Sequence, residues 1–306
     1  MNKHPEGIKW RADALERRFQ GLRSRYPEYF AMLSRALDLR PGQRVVDVGC
    51  GPGTYARFLA EEVGHNGQVI GVDLDRFLLS SGRELAIGEA LHSRVYFVQG
   101  DARHLPLGES VADIIFCNTL LWTLPDPEQA VREMARVVKP GGLVCASDVD
   151  GGLWLRHDED PNYVALAEKA HQAFMAGVRK VYGWDFQIGR KLPALFRRCG
   201  LVDLRAYPRV FVNLTRDLRD RSLDEVVEGY EWRLAPMNRR DETAIDRWER
   251  TKRIQMEGGL SEAECEEYRR LQRQRLETGL ADPQRRLTDV GLTTWGGLVV
   301  TGCKPS

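Results

Sequence analysis

The sequence contains no long apolar segment and no dense group of cysteines. Across its 306 residues, no apolar run approaches the roughly 18 residues that span a bilayer. The segment Met1–Trp10 lacks the apolar core of a secretory signal, so we expect a cytoplasmic protein. The six cysteines are scattered, without CxxC or Cys/His spacing, which favours reduced, mostly buried thiols and no bound metal.

An excess of charge of one sign is also missing. Lys and Arg total 45 and Asp and Glu total 44, so the formal net charge is +1. This balance provides no overall attraction to a polyanion, and we expect no nucleic-acid partner. Hydrophobic residues make up 42% of the chain, which is enough for a sizeable packed core.

Short apolar runs alternate with helical patterns in the first half of the chain. The runs are Val45–Val48, Val69–Val72, Val95–Val98, Asp113–Cys117 and Leu143–Ser147. They are apolar throughout instead of alternating with polar residues, which is typical of strands buried on both faces. The spacing predicts right-handed βαβ units and an α/β fold with a doubly wound parallel sheet, preceded by helices within residues 1–42.

A glycine-rich turn follows the first of these strands. The stretch Val45–Ala60 reads VVDVGCGPGTYARFLA, with glycines at 49, 51 and 53 and with Thr54 as the predicted N-cap of the next helix. Such a turn lets a ligand approach the backbone closely, and the helix start favours polar or anionic groups. Thr54 stands where the dinucleotide fingerprint G-x-G-x-x-G has its last glycine, which disfavours a nicotinamide cofactor.

With Asp47 two residues before the first glycine, the pattern D-x-G-x-G-x-G resembles motif I of the class I S-adenosylmethionine-dependent methyltransferases. The segment Leu124–Gly142 (LPDPEQAVREMARVVKPGG) resembles the family's small-molecule branch, which includes quinone and sterol methyltransferases. The resemblance implies an enzyme with a seven-stranded, mostly parallel Rossmann-like sheet and S-adenosyl-L-methionine as cofactor.

The resemblance also implies which residues hold the cofactor. An acid at the end of the second strand would bind the ribose, and an acid after the third strand would meet the adenine amino group. An apolar residue after the first acid would lie against the adenine, and the end of the fourth strand would lie near the methionine moiety. The residues predicted to bind the cofactor are Asp47, Gly49, Gly51, Gly53, Asp73, Leu74, Asp101, Ala102 and Asn118.

The chain is longer than the methyltransferase core requires, and the additional residues predict an inserted segment. The methyltransferase core would comprise residues 43–213 and 289–306, with residues 214–288 inserted between the last two strands. A structureless loop of that length is improbable in a compact domain, so we interpret the insertion as a helical lid. Trp232 and Trp248 would then pack a small core of the lid itself.

Segments that leave the carboxyl ends of the strands are candidates for contact with the methyl acceptor. Trp122 and Trp154 lie in these segments and predict a small acceptor of apolar or aromatic character. The reaction would be an in-line displacement on the sulfonium methyl. A base is required only for a poorly acidic nucleophile. The candidates for a base are His157 and Asp148, followed by His171, Asp150 and Asp185.

Three other functions remain open at this point. The acceptor could be RNA or protein instead of a small molecule. The chain could bind S-adenosylmethionine without turnover, or it could be a nicotinamide-dependent oxidoreductase. The sequence leaves open the identity of the acceptor, the methylated atom and the oligomeric state.

Overall fold

The computed structural model describes residues 12–158, 160–214, 242–281 and 292–306. The described residues form two compact units. The first comprises the chain up to Asp150 together with Gln187–Arg209 and Gly297–Ser306, and the second comprises Gly151–Phe186 with the described part of Val210–Gly296. The predicted division at residues 42, 213 and 288 differs from these boundaries and stays a prediction.

The helices and strands follow the alternation expected from the sequence. The strands are β1 (Arg44–Val48), β2 (Gln68–Asp73), β3 (Val95–Gln99), β4 (Ala112–Asn118), β5 (Val138–Val149), β6 (Arg156–His157), β7 (Val202–Leu214) and β8 (Leu292–Cys303). The helices are α1 (Ala12–Arg25), α2 (Pro27–Ala36), α3 (Thr54–Glu62), α4 (Arg76–Gly88), α5 (Pro127–Val137), α6 (Pro161–Tyr182), α7 (Ile188–Arg198), α8 (Glu242–Glu257) and α9 (Glu262–Ala281). None of them combines the length and the apolar character that crossing a bilayer would require.

The first unit is built on a twisted sheet with the strand order β3–β2–β1–β4–β5–β8, and β7 also pairs with β8. Strands β1 to β5 are parallel, with Val46 opposite Ile70 on one side and Ile115 on the other. Strand β8 runs antiparallel to β5. The central strands are almost entirely buried, since helices cover both faces. The predicted seven-stranded, mostly parallel sheet is therefore confirmed.

The start of α3 corrects a detail of the sequence analysis. The helix begins at Thr54, and the cap position is occupied by Gly53 in the left-handed conformation. Thr54 is therefore the first helical residue, and its prediction as the N-cap is wrong. The positive φ of Gly53 turns the chain sharply into the helix, and no side chain caps the helix start.

The second unit is predominantly helical and has its own core. Ala170 and Ala173 of α6 pack with Leu260 and Cys265, and Trp248 lies against this cluster. The described part of the predicted lid is helical in α8 and α9. Trp248 packs against a cluster that includes α6, which lies outside residues 214–288, and so not against a core of the lid alone. Trp232 lies outside the described residues. The short strand β6, which the sequence did not predict, pairs antiparallel with the first residues of β8.

Candidate active site

The glycine-rich turn joins β1 to α3 at the carboxyl edge of the sheet. Gly49, Gly51 and Gly53 have φ values of +73°, +55° and +73°, a region that other L-residues rarely adopt. A Cβ on Gly49 would lie 2.7 Å from a methyl carbon of Leu120, and one on Gly53 would lie 2.5 Å from the ring of Phe97. The turn therefore requires glycine both for its conformation and for its packing.

Asp73 ties the end of β2 to this turn. Its Oδ2 accepts a hydrogen bond from the Gly51 N–H at 2.8 Å, and its Oδ1 accepts one from the Asp75 N–H at 2.8 Å. A carboxylate oxygen can accept more than one hydrogen bond, which is the chemistry that binding of ribose hydroxyls would require. Leu74 follows with 44% of its surface exposed, as an apolar wall for a flat base would be.

Asp47 lies beneath the turn and is buried. Burial and, secondarily, the negative charge of Asp73 raise the pKa of its carboxyl group to about 8, against the opposing effect of a hydrogen bond from the Ala56 backbone. Asp47 is therefore protonated near pH 7. Its Oδ2 forms no hydrogen bond within the described ranges, so a buried polar atom is left without a partner beside the predicted cofactor site.

Asp101, which follows β3, is held by an arginine two residues later. Arg103 donates from Nε and Nη2 to the two carboxylate oxygens at 3.1 and 2.6 Å, and its backbone N–H donates at 2.9 Å. The Arg103 side-chain hydrogen bond is the main cause of the lowered pKa of Asp101. The carboxylate is therefore ionised and fixed in orientation, next to the buried Ala102.

A buried polar cluster occupies the carboxyl ends of β4 and β5. The Asn118 side-chain oxygen accepts a hydrogen bond from Nη1 of Arg209 at 2.9 Å, and the same nitrogen donates to Ser147 Oγ at 3.0 Å. Ser147 Oγ lies 3.1 Å from the hydroxyl oxygen of Tyr29. We call Tyr29, Asn118, Ser147 and Arg209 the arginine cluster.

The sequence analysis identified only Asn118 in the arginine cluster. Along β7, the buried residues Arg209 and Phe211 alternate with the exposed residues Val210 and Val212. This period of two places the arginine on the inner face of β7. The alternation in the sequence could have indicated that Arg209 faces inwards. Its partners Asn118 and Ser147 could not have been predicted, because they are distant in the sequence.

Asp148 follows Ser147 and is completely buried. Its Oδ2 accepts hydrogen bonds from the backbone N–H groups of Leu121 at 2.7 Å and Trp122 at 3.4 Å, and its Oδ1 accepts one from Val149 at 2.8 Å. Burial raises the pKa of Asp148 to about 6, and these hydrogen bonds and the charge of Arg209 oppose the rise. The carboxylate both orders the turn after β4 and titrates in a range useful for proton transfer.

Trp122 lies in the short 3-10 helix Leu121–Thr123 that Asp148 orders. Its ring is buried, and its indole N–H donates to the Thr119 carbonyl at 3.0 Å. The side chain is therefore held in one orientation beside the carboxyl end of β4.

The remaining predicted residues occupy different environments. In the second unit, Trp154 stacks on His171 with ring centroids 4.3 Å apart, and the Arg156 guanidinium lies 4.9 Å from the same indole. Burial lowers the pKa of His171, so it is neutral at pH 7. His157 is exposed on β6, and Asp185 is half-buried. Asp150, in the first unit, forms a two-nitrogen ion pair with Arg190.

The arrangement in the first unit has two chemically distinct parts. The first part is the glycine turn with the two hydrogen-bonded carboxylates of Asp73 and Asp101, which suit a ligand with hydroxyl and amino donors. The ends of β4 and β5 offer a guanidinium, hydroxyl groups and the carboxylate of Asp148. A strand edge of this kind is where doubly wound sheets bind their ligands.

Comparison with known proteins agrees with this geometry. The family described as "Methyltransferase domain" matches residues 46–146. The chain is 32% identical over 185 residues to a demethylmenaquinone methyltransferase of Desulfitobacterium hafniense, covering 56% of this chain and 70% of the relative. It is 38% identical over 187 residues to a demethylmenaquinone methyltransferase of Bacillus cereus, covering 58% of this chain and 77% of the relative.

Among solved structures, the fold is similar to that of phosphoethanolamine N-methyltransferase 2 of Haemonchus contortus in complex with S-adenosyl-L-methionine. The TM-score is 0.50 at 17% identity, covering 99% of this chain and 62% of the other. At this identity the likeness supports the fold alone.

Proposed function

This chain belongs to the class I S-adenosylmethionine-dependent methyltransferases, in the branch similar to the ubiquinone and menaquinone methyltransferases, and we propose from this premise that it methylates a small acceptor of apolar or aromatic character. The observation that carries the proposal is the burial of the groups at the ends of β4 and β5. Ser147, Asp148, Arg209 and Trp122 are all buried, so these groups suit a compact molecule better than a polymer surface.

For the cofactor, we assign the ribose to Asp73, the adenine amino group to Asp101 and the adenine face to Leu74. We place the methionine moiety along the left-handed turn Gly49–Gly53, with Asn118 as a further contact. Asp47, with a buried oxygen that lacks a hydrogen-bond partner among the described residues, would act on the turn from beneath, and Ala102 would line the base. These residues fit S-adenosylmethionine, which supplies an electrophilic methyl group on a sulfonium.

The chain's contribution to the displacement is then orientation and exclusion of water. The buried ring of Trp122, held by its own hydrogen bond, would form an apolar wall for the acceptor. The acceptor's electron pair forms the new bond to the methyl carbon while the carbon–sulfur bond breaks, so the electron pair of that bond stays on sulfur. A pre-oriented pair reacts faster because its translational and rotational entropy is already lost on binding.

Of the two candidate bases, Asp148 is favoured over His157. Asp148 is buried beside Ser147 with a raised pKa, whereas His157 is exposed on β6 in the second unit. An acceptor that loses a proton would transfer it to Asp148, and the rate would then fall below about pH 6. A pH–rate profile with no acid limb in this region would exclude this role. Trp154, which stacks on His171 in the second unit, stays a predicted acceptor-binding residue.

The proposed function is tested by following a labelled methyl group. The purified chain is incubated with methyl-labelled S-adenosylmethionine and, in separate reactions, a reduced naphthoquinone without a ring methyl group, total RNA, and a protein extract. We expect label in the organic extract of the quinol reaction. Label transferred only to RNA or to protein would overturn the small-molecule assignment, and absence of transfer to the quinol would exclude that ring as acceptor.

A further inference from the structure

Arg209 has an unusual environment for a charged side chain. Only 5% of its surface is exposed, yet its two hydrogen-bond partners, Asn118 and Ser147, are neutral. Both hydrogen bonds leave from Nη1, and the buried Nε has no hydrogen-bond partner in the part of the chain that the structure describes. Burying a guanidinium is costly unless its donors and its charge are matched. The arginine cluster therefore retains an unmatched donor.

The nearby carboxylate does not use this donor. Asp148 interacts with the charge of Arg209, but its oxygens accept the backbone N–H groups of Leu121, Trp122 and Val149. A second guanidinium, that of Arg18 on α1, is close enough for the charge of Arg209 to contribute to its lowered pKa, after burial as the larger cause. Two guanidinium groups and one carboxylate thus interact at this place, and the remaining positive charge favours an anion.

The position of the cluster indicates which ligand brings the anion. Asn118 is the last residue of β4, and Ser147 lies two residues before the end of β5. The groups that suit the cofactor's adenosine, Asp73 and Asp101, lie at the ends of β2 and β3. In the sheet these strands are separated from β5 by β1 and β4. The cluster therefore lies away from the adenosine-binding groups, at the end of the crevice where an acceptor would meet the methionine moiety.

We propose that Arg209 binds an anionic oxygen of the acceptor, such as the phenolate of an aromatic ring. This inference rests on the proposed function, because it requires a small acceptor in the crevice. A guanidinium offers a planar pair of donors to such an oxygen, and a charged hydrogen bond is stronger than a neutral one. An ionised ring oxygen makes the ring more electron-rich than the neutral phenol, so a site that favours the phenolate favours attack on the methyl carbon.

The test uses 4-nitrophenol as the probe and nitrobenzene as its neutral counterpart, each titrated into the full chain saturated with S-adenosylhomocysteine at pH 8. We expect the wild type to bind the phenolate more tightly than nitrobenzene. Arg209→Gln should weaken phenolate binding roughly 10–100-fold and leave nitrobenzene binding unchanged. Arg209→Lys, which keeps the charge, should recover part of the loss. Arg205→Gln, at an exposed arginine of the same strand, is the matched control and should bind like wild type.

A second measurement separates a direct contact from a structural effect. Absorbance reports the ionisation of bound 4-nitrophenol, and its pKa in the wild-type complex should lie below that of the free phenol and rise in Arg209→Gln. Equal affinity of the wild type for 4-nitrophenolate and nitrobenzene, or no binding of the phenolate, would overturn the inference.

The cofactor's own carboxylate is the competing source of an anion. Methylthioadenosine lacks that carboxylate, so it is compared with S-adenosylhomocysteine in wild type and Arg209→Gln. Weakened binding of S-adenosylhomocysteine alone would assign Arg209 to the cofactor and overturn the inference. Unchanged binding of both ligands supports it and shows that the variant is folded. Failure of the proposed function would instead appear in the wild type, as absence of S-adenosylhomocysteine binding or of methyl transfer.

Discussion

At the scale of single residues, Asp73 has two simultaneous tasks. It fixes the glycine turn through Gly51 and the start of α4 through the Asp75 N–H. In the proposed site it also accepts the ribose hydroxyls. An amide in its place keeps one acceptor oxygen but turns an NH2 group towards a backbone N–H, so both tasks are impaired.

We therefore expect Asp73→Asn to weaken S-adenosylhomocysteine binding roughly 10–100-fold, as loss of hydrogen bonds to a charged group typically does. Isothermal titration calorimetry measures the change. Asp75→Asn is the matched control, because Asp75 caps α4 through the Phe77 N–H and asparagine caps equally well. Equal affinities of wild type and Asp73→Asn would remove Asp73 from the cofactor site.

Asp47 gives a pH-dependent prediction at the same scale. Its folded-state pKa of about 8 lies above the value of about 3.9 in an unfolded chain. Between these values the unfolded state releases the proton and the folded state keeps it, so the stability of the fold decreases as pH rises. Below about pH 4 the group has no such effect.

Asp47→Asn removes this titration. The free energy of unfolding of the variant, relative to wild type, should rise by up to about 1.4 kcal/mol per pH unit between pH 5 and 7.5. Urea unfolding at several pH values measures it, with Glu109→Gln at an exposed carboxylate as the control. Parallel pH profiles for wild type and Asp47→Asn would show that Asp47 ionises normally.

The difference between Asp73 and Arg209 shows what the sequence can and cannot predict. Asp73 directly follows an apolar run, and parallel strands bring their carboxyl ends to one edge, so its place beside the glycine turn could be predicted. Arg209 meets Asn118, 91 positions earlier in the chain. That contact depends on β7 pairing with β8, a strand whose residues come almost 80 positions later. No local pattern specifies such a pairing.

At the scale of elements, close approach of helix backbones organises the second unit. Gly177 lies inside α6, where a Cβ would be 1.8 Å from the carbonyl oxygen of Ile254 in α8. Gly258, just after α8, would place a Cβ 1.7 Å from the carbonyl oxygen of Ala173. The contact is with backbone atoms, which cannot move away as a flexible side chain would. The sequence predicted these helices but not that small residues set their distance.

The substitution Gly177→Ala has two physical effects of opposite sign on stability. Helix propensity alone favours alanine by about 1 kcal/mol, whereas overpacking against the Ile254 carbonyl typically costs about 1–3 kcal/mol or more. Since the clash is with backbone, we expect net destabilisation, measured as a lower midpoint of thermal unfolding. Gly21→Ala, inside α1 with nothing within 4 Å of the added Cβ, should be neutral or stabilising. Stabilisation by both substitutions would contradict the close helix contact.

At the scale of the whole molecule, the identity of the cofactor can be read from how strongly each candidate ligand stabilises the fold. A ligand that binds only the folded state raises the free energy of unfolding by about 2.7 kcal/mol at 100 times its dissociation constant. The predicted cofactor residues all lie in the first unit, which contains the sheet and the glycine turn. Binding should therefore stabilise the sheet on which these residues are placed.

S-adenosylhomocysteine should raise the midpoint of thermal unfolding by a few degrees, and NAD should not. An acid after β2 serves a ribose in either cofactor, so Asp73 does not discriminate between them. The discrimination comes from Thr54, a buried first residue of α3 where a dinucleotide-binding turn requires glycine for close helix packing. A thermal shift with NAD and none with S-adenosylhomocysteine would show that this side chain does not exclude the pyrophosphate, and the cofactor assignment would then be wrong.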